Sequence, residues 1–366
     1  MKLKFIDEFR NKKLVLGFAE KIKEVMPPSQ INIMEVCGTH TQSFFRFGLD
    51  ELLPRELKLI AGPGCPVCVS SQGYIDSAVK LCRDKSVVIL TFGDMLRIPG
   101  THSSLEKESA CFGNVHIVYS PLDCVRFAKN HPDKKIVFLA VGFETTAPAI
   151  ALTILSAKKE KLRNLFFLSS LKTIPPVMKE LVVDKRLKLQ GFLCPGHVSA
   201  IIGTNAYEFI AKKYKIACCI AGFEPLDILE GLYLLVRQIV EKRPQVMNQY
   251  SRVVRPRGNP RAQKIIARVF KTSDAYWRGF GSIHNTGLKI KKEFGVFDAE
   301  SEFCIKGESQ GYKATKSQCR CADILRGLIS PKECGLFSKA CTPENPIGPC
   351  MVSTEGACNA YYKYHK

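Results

Sequence analysis

No stretch of this chain approaches the ~18–20 consecutive apolar residues that a membrane-spanning helix needs. The most apolar runs, 136–143 and 216–223, are only of strand length. The sequence also lacks the short motifs of several large enzyme classes. It has no G-x-x-x-x-G-K-[ST] phosphate loop, no G-x-G-x-x-G dinucleotide turn, no H-E-x-x-H zinc helix and no G-x-S-x-G nucleophile turn. Low-complexity tracts are absent. Residues 1–20 mix acidic and basic side chains along their length and so do not read as a secretory leader. These absences predict a soluble, cytoplasmic protein.

Negative charge is in short supply: 34 acidic residues face 54 basic ones, a formal net charge of +20. Such a balance raises the question of nucleic acid. The bases are spread along the chain, however, and aromatic residues do not interleave with a basic stripe. A solvated basic surface is the reading this pattern favours, with no nucleic-acid partner.

Cysteine is abundant, with sixteen in the chain. A reducing compartment disfavours permanent disulfides, so metal binding and redox chemistry are the reasons to weigh. Six of them, Cys82, Cys111, Cys124, Cys194, Cys218 and Cys219, lie in or beside apolar patterns and read as small core residues.

Up to about residue 242 the chain alternates short apolar runs with helical patterns. Strands are expected at 31–36, 57–61, 87–92, 116–119, 136–142, 165–168, 189–193 and 216–221. Helices are expected at 73–81, 122–129, 149–158, 176–183, 200–213 and 225–243. Alternation of this kind predicts parallel sheets with helices on both faces. The expected organisation is an α/β domain over 1–120, a second over 121–242, and a linker with a cysteine-rich domain over 243–366.

Four places carry chemistry. Cys37-Gly38-Thr39-His40 follows a strand and opens a helix, the position where parallel α/β sheets bind ligands. The helix start is expected to favour a thiolate at Cys37, as a nucleophile or soft-metal ligand; a packed thiol in a turn is the plainer alternative. Gly62-Pro63-Gly64-Cys65-Pro66-Val67-Cys68 is a C-x-x-C turn between strand and helix, able to close a disulfide or share a metal. Glu144, Thr145 and Thr146 sit at a third strand-to-helix junction, where ordinary N-capping is the competing account. Asp94 is on an analogous rim, and His197 in Cys194-Pro195-Gly196-His197 reads by default as a buried or loop histidine.

The fourth is the tail, with Cys319, Cys321, Cys334, Cys341, Cys350 and Cys358 among glycines and prolines. Such sequence cannot build an apolar core of its own and needs a staple. Structural zinc sites mostly use close C-x-x-C pairs, which the tail lacks; its wide, uneven gaps suit an iron–sulfur cluster on four thiolates. Cys319 and Cys321, one residue apart, point to opposite sides if extended.

The blocks 34–41, 62–68, 142–148, 222–229 and the tail from Cys319 to Tyr364 together resemble the HypD family of hydrogenase maturation proteins. That resemblance implies two Rossmann-like parallel-sheet α/β domains plus a small irregular C-terminal iron–sulfur domain. It implies a scaffold that works with HypC, takes cyanide from HypE and assembles the Fe(CN)2CO group of [NiFe]-hydrogenases, the large subunit being reached through HypC. By position, Cys319, Cys334, Cys341 and Cys358 would ligate a [4Fe–4S] cluster, and Cys321 with Cys350 would be a redox dithiol. Cys37 would bind the iron under assembly beside His40, and Cys65 with Cys68 would serve redox chemistry or metal binding in the same cleft. The protein would be more an assembly factor with redox activity than a turnover enzyme. An iron–sulfur thiol–disulfide oxidoreductase is the runner-up; a zinc-stapled nucleic-acid binder is the third reading.

Overall fold

The computed structural model describes residues 4, 6–305 and 318–364. Two sheets organise it. The first is wholly parallel and contains β1 (Ile31–Glu35), β2 (Leu57–Ala61), β7 (Gly191–Pro195), β8 (Ala217–Ala221) and β9 (Val246–Asn248), in the order β2-β1-β7-β8-β9. The second contains β3 (Val87–Thr91), β4 (Val115–Ile117), β5 (Lys135–Gly142), β6 (Leu165–Lys172), β10 (Phe270–Trp277) and β11 (Gly281–Ile290), in the order β10-β11-β6-β5-β3-β4. Within it β4, β3, β5 and β6 are parallel, and β11 and β10 add antiparallel strands at one end.

All eight expected strands are present. Every residue of β1, β3, β7 and β8 is buried, as expected of parallel strands covered on both faces. The mixed α/β architecture with two parallel-dominated sheets is therefore the one the alternating pattern implied.

The division of strands between the sheets is not the expected one. Residues 1–120 supply β1 and β2 to the first sheet and β3 and β4 to the second; residues 121–242 supply β5 and β6 to the second and β7 and β8 to the first. Local periodicity reports that a strand is buried on both faces and does not report which sheet it joins. Nor is 243–366 only linker and cysteine-rich tail. β9 closes one edge of the first sheet, and the β10–β11 hairpin extends the second. This hairpin reads as irregular in sequence because its register shifts between Ser273 and Ala275 and Asn285 takes a positive φ of 56°. Its anchor is Trp277, fully buried, with Nε1 donating to the Thr286 hydroxyl at 2.8 Å and the ring stacked 5.9 Å from Phe143.

The expected helix 200–213 is two helices, Gly196–Ile202 and Glu208–Tyr214, broken at Gly203, whose φ is +82° and whose missing Cβ makes room for the backbone at Pro256. A further helix, Lys12–Val25, is capped by the Asn11 side chain and buries Val15, Ala19 and Ile22. The i, i+4, i+7 stripe is present in the sequence but thinned by the surrounding charges.

The tail does not own a separate core. Ile324, Leu325, Met351 and the cysteines 321, 334, 341, 350 and 358 belong to one apolar cluster with Met34, Val36, Ile60 and Trp277. Helix Pro349–Val352 lies on Pro66–Val69, and helix Ala357–Tyr364 lies on Gly38–Arg46. The tail is thereby brought to the carboxyl ends of β1 and β2, and through them to the candidate site.

Candidate thiol and metal centre

β1 ends at Glu35, and two residues later Cys37 caps the helix Gly38–Arg46 in an extended conformation. β2 lies beside β1 in parallel register, so its following turn comes alongside. The two loops touch backbone to backbone: Gly38 N–H donates to the Gly64 carbonyl at 3.2 Å, and a Cβ on Gly64 would overlap the main chain of Cys37. Glycine is required there by close approach.

Cys37 is 7% exposed. Burial, then the charge of Glu355, pushes its thiol up to about 12, while hydrogen bonds from the backbone of His40 and from Thr39 pull it down. The helix start therefore acts in the expected direction and is outweighed by desolvation. A thiol so placed keeps its proton at neutral pH.

His40 is fully buried, its Nε2 donating to the carbonyls of Gly222 at 2.9 Å and Ala221 at 3.3 Å. Burial holds its pKa down to about 4, so the ring is neutral and Nδ1 presents a lone pair with no partner among the described residues. Phe223 lies between two imidazoles, 4.8 Å from the His40 ring and 3.9 Å from the His197 ring. His197, exposed at the end of β7, thus joins the same rim instead of being a mere loop residue.

In the C-x-x-C turn, Cys65 and Cys68 are both buried, with sulfurs 2.8 Å apart. Burial drives the Cys68 thiol well above its ordinary range. Cys68 also reaches the tail, donating to the Pro349 carbonyl at 3.7 Å and contacting the Cys350 thiol. Cys350 lies 2.7 Å from Cys321 and contacts Cys358, and Cys321 in turn contacts Cys319. A continuous row of thiols runs from the turn after β2 into the tail. None of these described cysteines forms a disulfide.

The six tail cysteines, expected to divide between cluster and dithiol, line a single small cavity together with Leu336, Phe337 and Met351. The Ile347 amide donates to the Cys341 sulfur at 3.3 Å. Among the described residues no three His, Cys, Asp or Glu side chains converge to hold one metal ion, and Cys37, Cys65 and Cys68 do not do so either. The tail sulfurs surround a volume instead of meeting at a point.

Glu144 is buried at the end of β5, its Oε1 accepting from the Ile174 amide at 2.9 Å and its Oε2 without a partner among the described residues. Burial raises its carboxyl to about 7. Its electrostatic neighbour is Tyr207, and among the described residues no hydrogen bond or ion pair joins it to the Cys37 loop. Thr146 occupies the N-cap of helix Ala147–Lys159 without a side-chain cap bond, and Thr145 is exposed. Of the six cysteines expected in the core, five are buried, but Cys111 is exposed.

Sequence reasoning missed two carboxyls. Glu355, in the tail, accepts from the Thr39 hydroxyl at 2.6 Å and lies against Gly38. Two residues before it, Ser353 donates to Asp94 at 2.8 Å, so the tail bridges the ends of β1 and β3. Glu35 is buried with Oε2 unpartnered among the described residues, and desolvation raises it to about 8. An acid inside the apolar run Ile31-Asn32-Ile33-Met34-Glu35-Val36 was the available signal; nothing local pointed to Glu355.

Fold and site together define an α/β protein with two parallel-dominated sheets whose strand ends carry a row of buried thiols. The chain belongs to the HypD family: the family model described as the hydrogenase formation hypA family matches residues 13–365. The hydrogenase maturation factor HypD of Azotobacter vinelandii is 41% identical over 99% of this chain and 97% of the relative. That of Escherichia coli K12 is 40% identical over 100% of this chain and 99% of the relative, and that of Rhodobacter capsulatus 39% identical over 99% and 98%. No helix among the described residues is long and apolar enough to cross a membrane.

Proposed function

We propose that this chain is the scaffold on which iron is fitted with cyanide and carbon monoxide for a [NiFe]-hydrogenase. Cys37 holds the iron under assembly, with a cysteine of a HypC partner as co-ligand; HypE delivers cyanide, and the hydrogenase large subunit receives the product through HypC. The observation that carries this reading is the row of sulfurs from Cys65 and Cys68 through Cys350 and Cys321 to Cys319, beginning at the loop packed on Cys37.

The chemistry of the donors fits the assignment. Iron bearing cyanide and carbon monoxide suits a soft, electron-rich thiolate. Cys37 supplies it from a buried loop where water is excluded, and the neutral His40 ring beside it offers Nδ1 as a proton acceptor. Each dithiol that closes to a disulfide releases two electrons and two protons. Cys321 with Cys350 and Cys65 with Cys68 are spaced to do this with little movement. Cys319, Cys334, Cys341 and Cys358 would hold a [4Fe–4S] cluster, which exchanges single electrons when bound. The reading is supported by the sulfurs that gather around the tail cavity and by the backbone amide that donates to Cys341.

The thiol row also suits a plain iron–sulfur thiol–disulfide oxidoreductase working in the cytoplasm. Infrared absorption separates the two. Protein purified anaerobically with its HypC partner is expected to show bands of iron-bound cyanide and carbonyl, and Cys37→Ala is expected to abolish them. Bands at full strength in Cys37→Ala would remove Cys37 as the iron ligand, and their absence from the native complex would favour the oxidoreductase.

A further inference from the structure

Outside the row of thiols, one cavity reaches it from the surface. A basin of about 670 Å³ opens beside the tail, and Cys319 and Cys321 form part of its wall. Cys350 does not line it and is 1% exposed. Two guanidiniums, Arg278 and Arg326, face the basin, and its lining among the described residues includes no carboxylate. Arg326 lies over the Phe280 ring at 5.4 Å. Arg278 is braced by its Nε, which donates to the Ser70 carbonyl at 2.9 Å, while its Nη2 is buried without a partner among the described residues. A buried guanidinium nitrogen without an acceptor is costly, and an anion in the basin would satisfy it. The volume falls in the range of small-molecule sites.

We propose that this basin binds a small anionic thiol, a peptide-sized molecule bearing carboxylates, which reduces the Cys321–Cys350 pair after it has been oxidised. The inference rests on the redox reading given above and adds the class of reductant and its point of entry. Of the two sulfurs, Cys321 is the one attacked, because it alone lines the basin. The incoming thiolate forms a bond to Cys321 Sγ, the disulfide breaks, and the electron pair leaves on Cys350 Sγ, which takes up a proton. A second molecule of the thiol attacks the mixed disulfide. It leaves Cys321 reduced and releases the symmetric disulfide of the small thiol, so two electrons enter for two thiols oxidised.

The test uses the full chain with the Cys321–Cys350 disulfide formed by mild oxidation and verified by mass spectrometry. Reduction is followed by alkylation with glutathione, neutral 2-mercaptoethanol and cationic cysteamine as probes, their rates corrected for thiolate fraction. Glutathione is expected to be faster than cysteamine by about tenfold at low salt, the lower end of what a charged cleft supplies. Added salt and Arg326→Gln are each expected to shrink that ratio, and Arg278→Gln to shrink it further. Equal corrected rates for the three thiols in the native chain, or a ratio indifferent to salt, would overturn the proposal even if Arg278→Gln failed to fold. Failure of the disulfide to form at all would instead overturn the redox reading and this proposal with it.

Discussion

The Cys68 thiol donates to the carbonyl oxygen of Pro349 at 3.7 Å, joining a turn to a tail residue 281 positions later. Cys350 follows Pro349 directly. The turn at the end of β2 and the tail are therefore one unit, and a change at either end should be felt at the other.

The double variant Cys321→Ser/Cys350→Ser interrupts the thiol row while leaving the four proposed cluster ligands in place. Its visible iron–sulfur absorbance is expected to match that of the native protein, and its cyanide and carbonyl infrared bands to be lost. Normal assembly in this variant would sink the electron path.

Two glycine-to-alanine changes should differ in sign. Gly17 lies in the middle of a helix with nothing within 4 Å of an added Cβ. Gly17→Ala is therefore expected to stabilise by about 0.5–1 kcal/mol through helix propensity. Gly64→Ala drives a methyl into the backbone of Cys37 and is expected to cost about 1–3 kcal/mol as overpacking. Urea unfolding measures both, and faster alkylation of Cys37 in Gly64→Ala would report the displaced loop.

Glu144 gives a pH signature. Its folded-state pKa is raised from 4.5 to about 7 by burial, so the folded protein binds this proton more tightly than the unfolded chain. Its contribution to stability is fully present below the unfolded value and is lost as pH climbs through the folded one. Glu144→Gln cannot ionise and can still accept from the Ile174 amide. It is expected to be about 1–3 kcal/mol more stable than the native chain at about pH 8 and nearly equal at about pH 5. Equal denaturation curves at both pH values would show that the carboxyl is solvated.

Replacing Cys194 or Cys219, buried in β7 and β8, by alanine is expected to cost about 1 kcal/mol of packing and to leave iron content unchanged. Loss of iron in either variant would mean that these core thiols take part in the chemistry.

Cys37 and Cys65 stand out in the sequence because each adjoins glycine or proline after an apolar run, and Cys68 because it completes the C-x-x-C spacing. The eight strands were legible as short, mostly apolar runs, although Lys58 interrupts β2 and His116 interrupts β4. The sheets they join were not, since β1 and β5 look alike locally and pairing is decided by distant partners. β10 escaped notice because Lys271, Thr272 and Asp274 interrupt any apolar run or alternation over its first half. Glu355 escaped because its meaning comes from Thr39, more than three hundred residues earlier in the chain. The tail thiols were legible as a group, whereas the apolar cluster they join draws its other members from both sheets.

The bridge from Ser353 to Asp94 and from Glu355 to Thr39 also sets an order of events in the cell. Cys37 leaves the ribosome early, long before the segment that covers it has been made. Until residues near 355 are translated, the cover that Glu355 lays over Gly38 and Thr39 cannot form. Synthesis thus acts as a timer: the Cys37 loop is covered only on a chain that has been made as far as Glu355.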